Sequence, residues 1–359
     1  MANNPHVLIN QEAIEKLSQK LTLLHCRGGV VFFLVDDNTK ALCLPVLKSL
    51  VAIEKFNPII LEIHHGEAHK SLETAAYLWE QITNAGAGRD AMLFTLGGGV
   101  ISDLGGFVAS AYKRGIAVSH IPTTLLAMID AAFGGKTGID FMGYKNHIGT
   151  FYMPEDVYII TEFLNSLDEQ QWLSGVGELL KYGFIARPEF LNYAVLKTND
   201  RTHYDALIRE AAASKLELVN TDPYEHGIRK ILNFGHTIGH AFESLALKKG
   251  LTFHHGEAVA AGILTELWLS VSYLKLDIEV LNEYKQTYQS LFKPFKFSVD
   301  DIAAIIQLIR HDKKNSAEKL NFVLIQEPGK AVFDVAVEPS DIEACLRWYI
   351  DLFEANGKS

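Results

Sequence analysis

The stretch from Thr95 to Thr150 reads TLGGGVISDLGGFVASAYKRGIAVSHIPTTLLAMIDAAFGGKTGIDFMGYKNHIGT, and the rest of the chain is organised around it. Three glycines follow an apolar run, and two lysine-bearing loops follow in turn, GGKTG around Lys136 and YKNHIG around Lys145. Because glycine has no Cβ, the backbone N–H groups of such a loop can approach an anion closely. The lysines add point charges for phosphate. The stretch therefore predicts that this half of the chain holds a nucleotide and a phosphorylated substrate.

The glycine run is a weak signal by itself. Gly97 and Gly99 begin a G-x-G-x-x-G pattern, but Ser102 stands at its last position, so the dinucleotide-binding fingerprint is incomplete. A tight turn from a strand into a helix, with no ligand, explains the glycines equally well when the loop is considered alone.

Strand and helix patterns alternate before and through the glycine run. Predicted strands are Val7–Ile9, Gly29–Val35, Pro58–Ile63 and Met92–Leu96, and predicted helices are Gln11–Leu24, Ala41–Leu50 and Lys70–Asn84. Such alternation predicts a mostly parallel, Rossmann-like sheet with helices on both faces. Ligands of such sheets lie at the carboxyl ends of the strands, where we expect the loops Asp36–Asn38, Glu67–Lys70 and Gly97–Gly99.

The pattern becomes mainly helical after Asp168. Predicted helices are Glu169–Ile185, Thr202–Asn220, Ile228–Leu247, Glu257–Leu274, Asp300–Arg310 and Pro339–Phe353, with short β-like runs at Leu320–Ile325 and Ala331–Phe333. We therefore expect two domains, an α/β domain over residues 1–165 and a mainly α-helical domain over residues 166–359.

Composition narrows the class of protein. The formal net charge of the 359 residues is −10, which argues against general nucleic-acid binding. Three cysteines without a C-x-x-C spacing are typical of a reducing cytosol. We expect no signal peptide, and we expect no membrane span because the most apolar run, Ala258–Leu274, is interrupted by Glu266 and Ser270. A cytoplasmic enzyme without nucleic-acid or membrane partners is the expectation.

Two imidazoles and a carboxylate indicate a metal site. The segment NFGHTIGH places His236 and His240 one helical turn apart on one face, HHGE around His255 begins another helix, and GELLK carries Glu178 and Lys181. Two histidines and one glutamate form a usual ligand set of an open catalytic zinc site. A single histidine is more often a core or surface residue than a ligand, but the set as a whole favours a metal.

A third group of residues is cationic. Lys215, Arg229 and Lys230 precede the segment HDKKN at residues 311–315. Solvated helix faces and loops often have this composition, so these cations indicate a binding site only if they converge on one place.

Several of these segments together resemble one known family. GGGVISDLGGF, PTTLLAMIDAAFGGKTGI, KNHIGTFYMP, GELLKYG, ILNFGHTIGHAFES, HHGEAVAAGI and HDKKN are similar to the motifs of 3-dehydroquinate synthases, which are sugar-phosphate cyclases, and they occur in the family's order. The resemblance spans about residues 36–315. It implies an NAD-binding N-terminal domain, a helical metal- and substrate-binding C-terminal domain, and a homodimer.

The resemblance also implies roles for individual residues. The metal, zinc or cobalt, would be bound by Glu178, His236 and His255. We prefer His255 to His254 because the family's ligand directly precedes the Gly-Glu pair. Residues implied to contact NAD are Asp36, Asn38, Glu67, Lys70, Gly98, Gly99, Val100, Asp103, Thr123, Thr124, Lys136, Lys145, Phe163 and Ser166. Residues implied to bind the substrate are Asp130, Lys145, Lys215, Arg229, Asn233, Lys313, Lys314 and, in the neighbouring subunit's phosphate site, Arg114. Those implied to be catalytic are Lys136, Asn146, Lys181 and His240.

The departures from the family pattern are few. Ser102 replaces a usual glycine, Gly177 replaces the alanine common before the glutamate ligand, and His147 stands where leucine is frequent. The first two exchange one small residue for another, and we assign His147 no role.

The reaction that the resemblance implies begins with transient oxidation by NAD. Elimination of phosphate, reduction, ring opening and an intramolecular aldol step then convert 3-deoxy-D-arabino-heptulosonate 7-phosphate to 3-dehydroquinate. The retained cations favour this carboxylate-bearing substrate, although a 2-deoxy-scyllo-inosose, amino-dehydroquinate or valiolone-type synthase is an alternative. A metal-dependent alcohol or glycerol dehydrogenase is the alternative enzyme class, and it needs no phosphate-binding lysines. A non-enzymatic, cofactor-sensing protein is disfavoured because the ligand and cationic positions are all kept.

Overall fold

The computed structural model describes residues 5–142, 144–191, 204–311 and 320–354, and the chain forms two compact units. The first unit comprises Met1–Asp168 and Arg201–Asn220, and the second comprises Glu169–Asp200 and Thr221–Ser359. The division near residue 168 lies close to the expected one after residue 165. Residues 201–220, which we expected in the second domain, group with the first unit instead.

The first unit is an α/β structure. Its strands are β1 (His6–Ile9), β2 (Val31–Asp36), β3 (Ile59–Ile63), β4 (Met92–Gly97), β5 (Ala117–Pro122), β6 (Lys136–Phe141), β7 (Tyr144–Phe151) and β8 (Asp156–Ile159). Its helices are α1 (Gln11–Cys26), α2 (Asp37–Leu42), α3 (Leu44–Val51), α4 (Leu72–Asn84), α5 (Gly99–Ala111) and α7 (Tyr204–Thr221), the last of which ends one residue beyond the unit. The strands expected before the glycine run are present, and so are the helices expected over Gln11–Leu24 and Lys70–Asn84. The helix expected over Ala41–Leu50 is divided at Cys43 between α2 and α3, and β5 to β8 were not predicted.

Six of these strands form the expected parallel sheet, in the order β1-β8-β5-β4-β2-β3. Strand β2 pairs in parallel with β3 on one side and with β4 on the other. The chain thus moves outward in opposite directions from the β2–β4 pair, which makes this pair the topological switch point of the sheet. Its carboxyl ends are Asp36 and Gly97, so two of the three expected ligand loops begin where open α/β sheets bind their ligands.

Burial explains why β2 and β4 occupy the centre of the sheet. Val31–Val35 and the whole of Met92–Gly97 are buried. Continuous apolar runs of this kind suit strands that are covered by helices on both faces. Strands β6 and β7 instead form a separate antiparallel hairpin.

The second unit is mainly helical. Its helices are α6 (Glu169–Ile185), α8 (His236–Lys248), α9 (His255–Leu274), α10 (Ile278–Leu291), α11 (Ile302–His311) and α12 (Pro339–Glu354), and its strands β9 (Leu320–Glu327) and β10 (Lys330–Val337) pair antiparallel. The prediction of a single helix over Ile228–Leu247 is wrong. A 3-10 helix, Ile228–Asn233, precedes α8, and Gly235 separates the two with a φ of 78°, which the α-helix does not allow.

Helix α9 lies in the core of this unit. Among the described residues it is the one helix that is long and apolar enough to cross a membrane, with a mean hydropathy of 1.2 over its most apolar window. However, 67% of that window is buried inside the protein. The apolar surface of α9 is therefore explained by packing against neighbouring elements.

The buried histidine of β5 predicts a pH dependence of stability. His120 is 3% exposed, its Nδ1 lies 2.7 Å from Thr95 Oγ1, and burial lowers its pKa to about 4. Because the unfolded chain binds this proton more readily, the contribution of neutral His120 is complete above pH 6.5 and is lost as the pH falls towards 4. We expect wild type to lose about 3 kcal/mol more unfolding free energy over this range than His120→Gln. Urea unfolding of both proteins measures the difference, and equal pH profiles would contradict it.

Candidate active site

Helices α6 and α8 each approach α9 so closely that their backbones are in contact with it. A Cβ built at Gly256 would clash with the carbonyl oxygen of Ser174, and one built at Gly177 would clash with that of Gly256. Further along α9, a Cβ at Gly262 would clash with the carbonyl oxygen of Gly235. Glycine at these crossings therefore lets three helices pack more closely than side chains would permit, and each helix carries one member of the predicted ligand set.

The predicted ligands of the second unit converge on one point. Oε1 of Glu178 on α6 lies 3.3 Å from Nε2 of His236 on α8 and 3.3 Å from Nε2 of His255 on α9. His236, His240 and His255 each offer one ring nitrogen to this point, and these three nitrogen atoms lie within 4.8 Å of one another. In the described part of the chain, neither oxygen of the fully buried Glu178 accepts a hydrogen bond of good geometry. This donor set fits a divalent metal such as zinc or cobalt, which these residues could hold.

The charged and imidazole groups around Glu178 determine its ionisation. Burial alone would raise the pKa of Glu178, but Lys181, which forms an ion pair with it, and the nearby His236 hold that pKa well below its usual range. Burial lowers the pKa of His236 to about 3. Burial opposes protonation of His255 as well, but Glu178 and Glu243 outweigh it and raise the pKa of His255 to about 10. The carboxylate is thus ionised and the His236 imidazole is neutral, as metal ligation requires, whereas His255 would have to release its proton to solvent when it binds a metal.

Further contacts orient both imidazoles. Nδ1 of His236 lies 3.1 Å from the carbonyl oxygen of Phe234, and Nδ1 of His255 lies 3.4 Å from Oε2 of the buried Glu243. Donation from Nδ1 leaves the Nε2 lone pair of the neutral His236 ring directed at the Glu178 side, and the contact with Glu243 would leave Nε2 of His255 in the same arrangement once its proton is lost. His254 takes no part in this arrangement, since its Nε2 lies 3.2 Å from Gln170 Oε1.

Other predicted residues of the second unit lie at different places. Lys181 and His240 belong to the cluster around Glu178. Arg229 is buried and donates from Nη1 to the carbonyl oxygen of Pro223 at 2.6 Å, and Asn233 donates to Glu225 Oε1 at 2.6 Å. Lys313 and Lys314 lie outside the described residues.

In the first unit, the glycine run leads directly into a helix N-terminus. Gly98 precedes the first turn of α5, which begins with Gly99 and Val100, and no side chain caps that turn. A Cβ at Gly98 would lie 3.1 Å from Thr124 Cγ2, and the backbone N–H of Thr123 donates to the carbonyl oxygen of Gly97 at 3.0 Å. The open N–H groups of this turn can receive a pyrophosphate, as at other α/β switch points.

A buried polar network follows beside this helix. Lys70, 3% exposed, donates to Asp103 Oδ2 at 2.6 Å and also to Asn146 Oδ1. Burial would lower the pKa of Lys70, but the charges of Asp103 and Glu67 outweigh it and raise that pKa. Lys145 Nζ lies 3.5 Å from Glu67 Oε1. Five residues that were predicted to contact cofactor or substrate thus form one network.

The remaining predicted residues of the first unit vary in exposure. Asp130 lies in a π-helical turn, Ala127–Ala131, and its Oδ2 is 2.8 Å from Nζ of the buried Lys215 on α7. Asp36 caps α2 by accepting the N–H of Thr39 at 2.7 Å. Arg114, Lys136, Asn38 and Ser166 are exposed, whereas Phe163 is 1% exposed and lies in the core.

Three carboxylates of these networks were missed by the sequence prediction. Asp140 accepts the backbone N–H of Asn146 at 2.8 Å, Glu243 orients His255, and Glu266 accepts N–H groups at the start of α8. Glu243 follows His240 by three residues on the same helix face, so helical periodicity could have found it.

Two domain models of one known protein family match consecutive parts of the chain. The model of the 3-dehydroquinate synthase N-terminal domain matches residues 60–174, and that of the C-terminal domain matches residues 175–315. A relative from Parabacteroides distasonis, named 3-dehydroquinate synthase, is 41% identical over 332 residues, which cover 90% of this chain and 92% of the relative. The chain belongs to the 3-dehydroquinate synthase family.

Solved structures share the fold of this family member. The 2-epi-5-epi-valiolone synthase ValA of Streptomyces hygroscopicus, with NAD+ and Zn2+ bound, is 24% identical with a TM-score of 0.86, and 98% of each chain is covered. A 2-deoxy-scyllo-inosose synthase in complex with carbaglucose-6-phosphate, NAD+ and Co2+ is 23% identical with a TM-score of 0.82, and 95% of this chain and 96% of that chain are covered. The α/β unit followed by a helical unit is thus the fold of the sugar-phosphate cyclases.

The helix crossing predicts that Gly177 is not freely exchangeable with the family's more common alanine. In Gly177→Ala the new methyl group meets backbone that cannot rotate away, so α6 must shift relative to α9. We expect the unfolding free energy to fall by about 1–3 kcal/mol, the usual cost of overpacking. Gly29→Ala is a suitable control, because its Cβ would meet only an ordinary contact of 3.4 Å. Equal midpoints for both variants in urea would contradict the prediction.

Proposed function

We propose that this chain is a 3-dehydroquinate synthase, which converts 3-deoxy-D-arabino-heptulosonate 7-phosphate to 3-dehydroquinate and phosphate in the shikimate pathway. Membership of the family over residues 60–315 carries the proposal. The buried cluster of Glu178, His236 and His255 supports it, since this cluster provides the donor set that a metal-dependent member needs.

The metal ligands of this proposal are Glu178, His236 and His255. When bound, zinc or cobalt supplies a Lewis acid that lowers the pKa of a substrate hydroxyl, and NAD+ supplies a hydride acceptor that is regenerated within the turnover. Lys181 neutralises the buried Glu178, with which it is paired. His240, whose ring centre is 5.1 Å from that of His236, is assigned to proton transfer at one of its ring nitrogens.

The cofactor site of this proposal lies at the switch point of the sheet. The uncapped N-terminus of α5, at Gly98 to Val100, binds the pyrophosphate of NAD+ through backbone N–H groups. The side chains assigned to contact the rest of the cofactor are those of Asp36, Asn38, Glu67, Lys70, Asp103, Thr123, Thr124, Lys136, Lys145 and Ser166, together with the segment that contains Phe163. Lys70 has a positioning role here, because its ammonium group holds Asp103 and Asn146 in place.

Cationic side chains hold the two anionic groups of the substrate. Lys136 and Lys145 are assigned to the phosphate, and Asn146 is assigned to the reacting part of the substrate. Residues assigned to the substrate's carboxylate and hydroxyl groups are Asp130, Lys215, Arg229, Asn233, Lys313 and Lys314. Burial of Lys215 and Arg229 supports this assignment, since a desolvated cation binds an anion more strongly than an exposed one.

A homodimer in the cytoplasm completes the proposal. The hairpin β6–β7 exposes the apolar side chains of Phe141, Met142, Tyr144 and Phe151. A second copy of the chain would cover this surface, and Arg114 would reach the phosphate site of that copy. A net charge of −10 supports the absence of a nucleic-acid partner, and the burial of α9 supports the absence of a membrane partner.

The activity is tested by phosphate release. We expect the protein with NAD+ and Zn2+ or Co2+ to release phosphate from 3-deoxy-D-arabino-heptulosonate 7-phosphate with no net formation of NADH. A chelator should abolish the release and added metal should restore it. Release of phosphate from sedoheptulose 7-phosphate alone would support the cyclase reaction but contradict the proposed substrate. Net NADH without phosphate release would favour a dehydrogenase.

Replacement of one proposed ligand tests whether metal binding can be lost while the fold is retained. His236→Ala removes one of the two nitrogens beside Glu178, so we expect metal binding to weaken at least tenfold and phosphate release to fall below detection, with the circular dichroism spectrum unchanged. His25→Ala, at an exposed histidine of α1, is the matched control. Wild-type metal content and activity in His236→Ala would exclude the proposed ligand set.

A further inference from the structure

The buried carboxylate of Glu266 caps a helix that is not its own. Glu266 lies on α9 and is 0% exposed. Its Oε2 accepts the backbone N–H of Gly235 at 2.6 Å, and its Oε1 accepts those of Thr237 at 3.1 Å and Ile238 at 3.3 Å. These three residues form the start of α8.

Helix α8 depends on this external cap. The first N–H groups of any helix lack partners within the helix, and a side chain at the N-cap usually accepts one of them. The N-cap of α8 is Gly235, which has no side chain. Glu266 replaces the missing cap, and its negative charge also suits the positive end of the helix dipole.

The capped segment includes a proposed metal ligand. His236 is the first residue of α8 and lies between two of the residues whose N–H groups bind Glu266. Any shift at the start of α8 therefore moves the His236 imidazole relative to Glu178 Oε1, from which its Nε2 is separated by 3.3 Å.

Glu266 also connects His236 with His255. The two residues Glu266 and His255 are on the same helix and are separated by eleven positions, which is about three turns, so both project from one face of α9. Helix α8 crosses this face in the opposite direction, with Gly235 against Ile263 and Gly239 against Ala258. One end of α8 is held by Glu266, and further along it Glu243 contacts His255. The register of the two helices is thus set by both carboxylates.

We propose that Glu266 is a positioning residue of the metal site: by capping α8 it holds His236 at ligating distance from the point shared by Glu178 and His255. This inference rests on the metal site of the proposed function. Glu266 itself does not touch the metal or the substrate.

The test compares Co2+ binding by wild type, Glu266→Gln and a matched control. The glutamine is nearly isosteric, but it loses the charge and presents an NH2 group to N–H donors. The control is Asp277→Asn, which removes the carboxylate that caps α10 through the N–H of Glu279 at 3.0 Å and is not part of the metal site. Affinity is measured by competition with a chelator, and the visible absorption of bound Co2+ reports its coordination.

We expect Glu266→Gln to bind Co2+ at least tenfold more weakly and with an altered spectrum, and Asp277→Asn to match wild type in both. Wild-type affinity and spectrum in Glu266→Gln overturn the proposal, as does an equal loss in Asp277→Asn. If Glu266→Gln does not fold, Glu266→Asp, which keeps the charge but is shorter, is judged by the same criteria. Failure of both to fold, with the control folded, overturns the positioning role in favour of a structural one.

The same measurements distinguish this inference from the proposed function. A wild-type protein that binds Co2+ but releases no phosphate contradicts the synthase activity, whereas the affinities still decide the role of Glu266. An active wild type with an unaffected Glu266→Gln contradicts only the inference.

Discussion

Backbone contact between three helices is the constraint on which the second unit depends. Helices α6 and α8 lie against α9 at positions where a single methyl group would clash with a carbonyl oxygen. Interiors are close-packed and respond to a change of one carbon atom, so these crossings set the separation of the helices within narrow limits. The distances of 3.3 Å from Glu178 to two histidines on different helices follow from that separation.

Three buried carboxylates further restrict how these packed helices are arranged. Glu178, Glu243 and Glu266 are all at least nine-tenths buried, and a buried charge is tolerated only where donors or cations surround it. Glu178 has Lys181 and the imidazoles, Glu243 has His255, and Glu266 has the N–H groups of α8. Each of these carboxylates contacts its partners in only one arrangement of the helices. The glycines allow the helices to pack closely, and the carboxylates then determine their register.

In the first unit, the order of the strands brings the ligand loops together. Its ligand loops meet because β2 and β4 are neighbours at the point where the direction of the chain reverses. Lys70 then joins Asp103 to Asn146, residues that are distant along the chain. The sequence motifs assigned each of these residues to a ligand, but their contacts with one another stabilise the loops before any ligand binds.

The sequence by itself determined the parallel sheet, the helical second half, the pair of histidines one turn apart and the membership of a family, because these depend on periodicity and on contiguous motifs. The tertiary structure alone decided that α7 joins the first unit, that Glu243 orients His255, and that Glu266 caps α8. Periodicity identifies which face of a helix is buried but not which element covers it. Contacts such as that between Glu178 and His255 join distant parts of the chain, and they depend on how closely two backbones can approach.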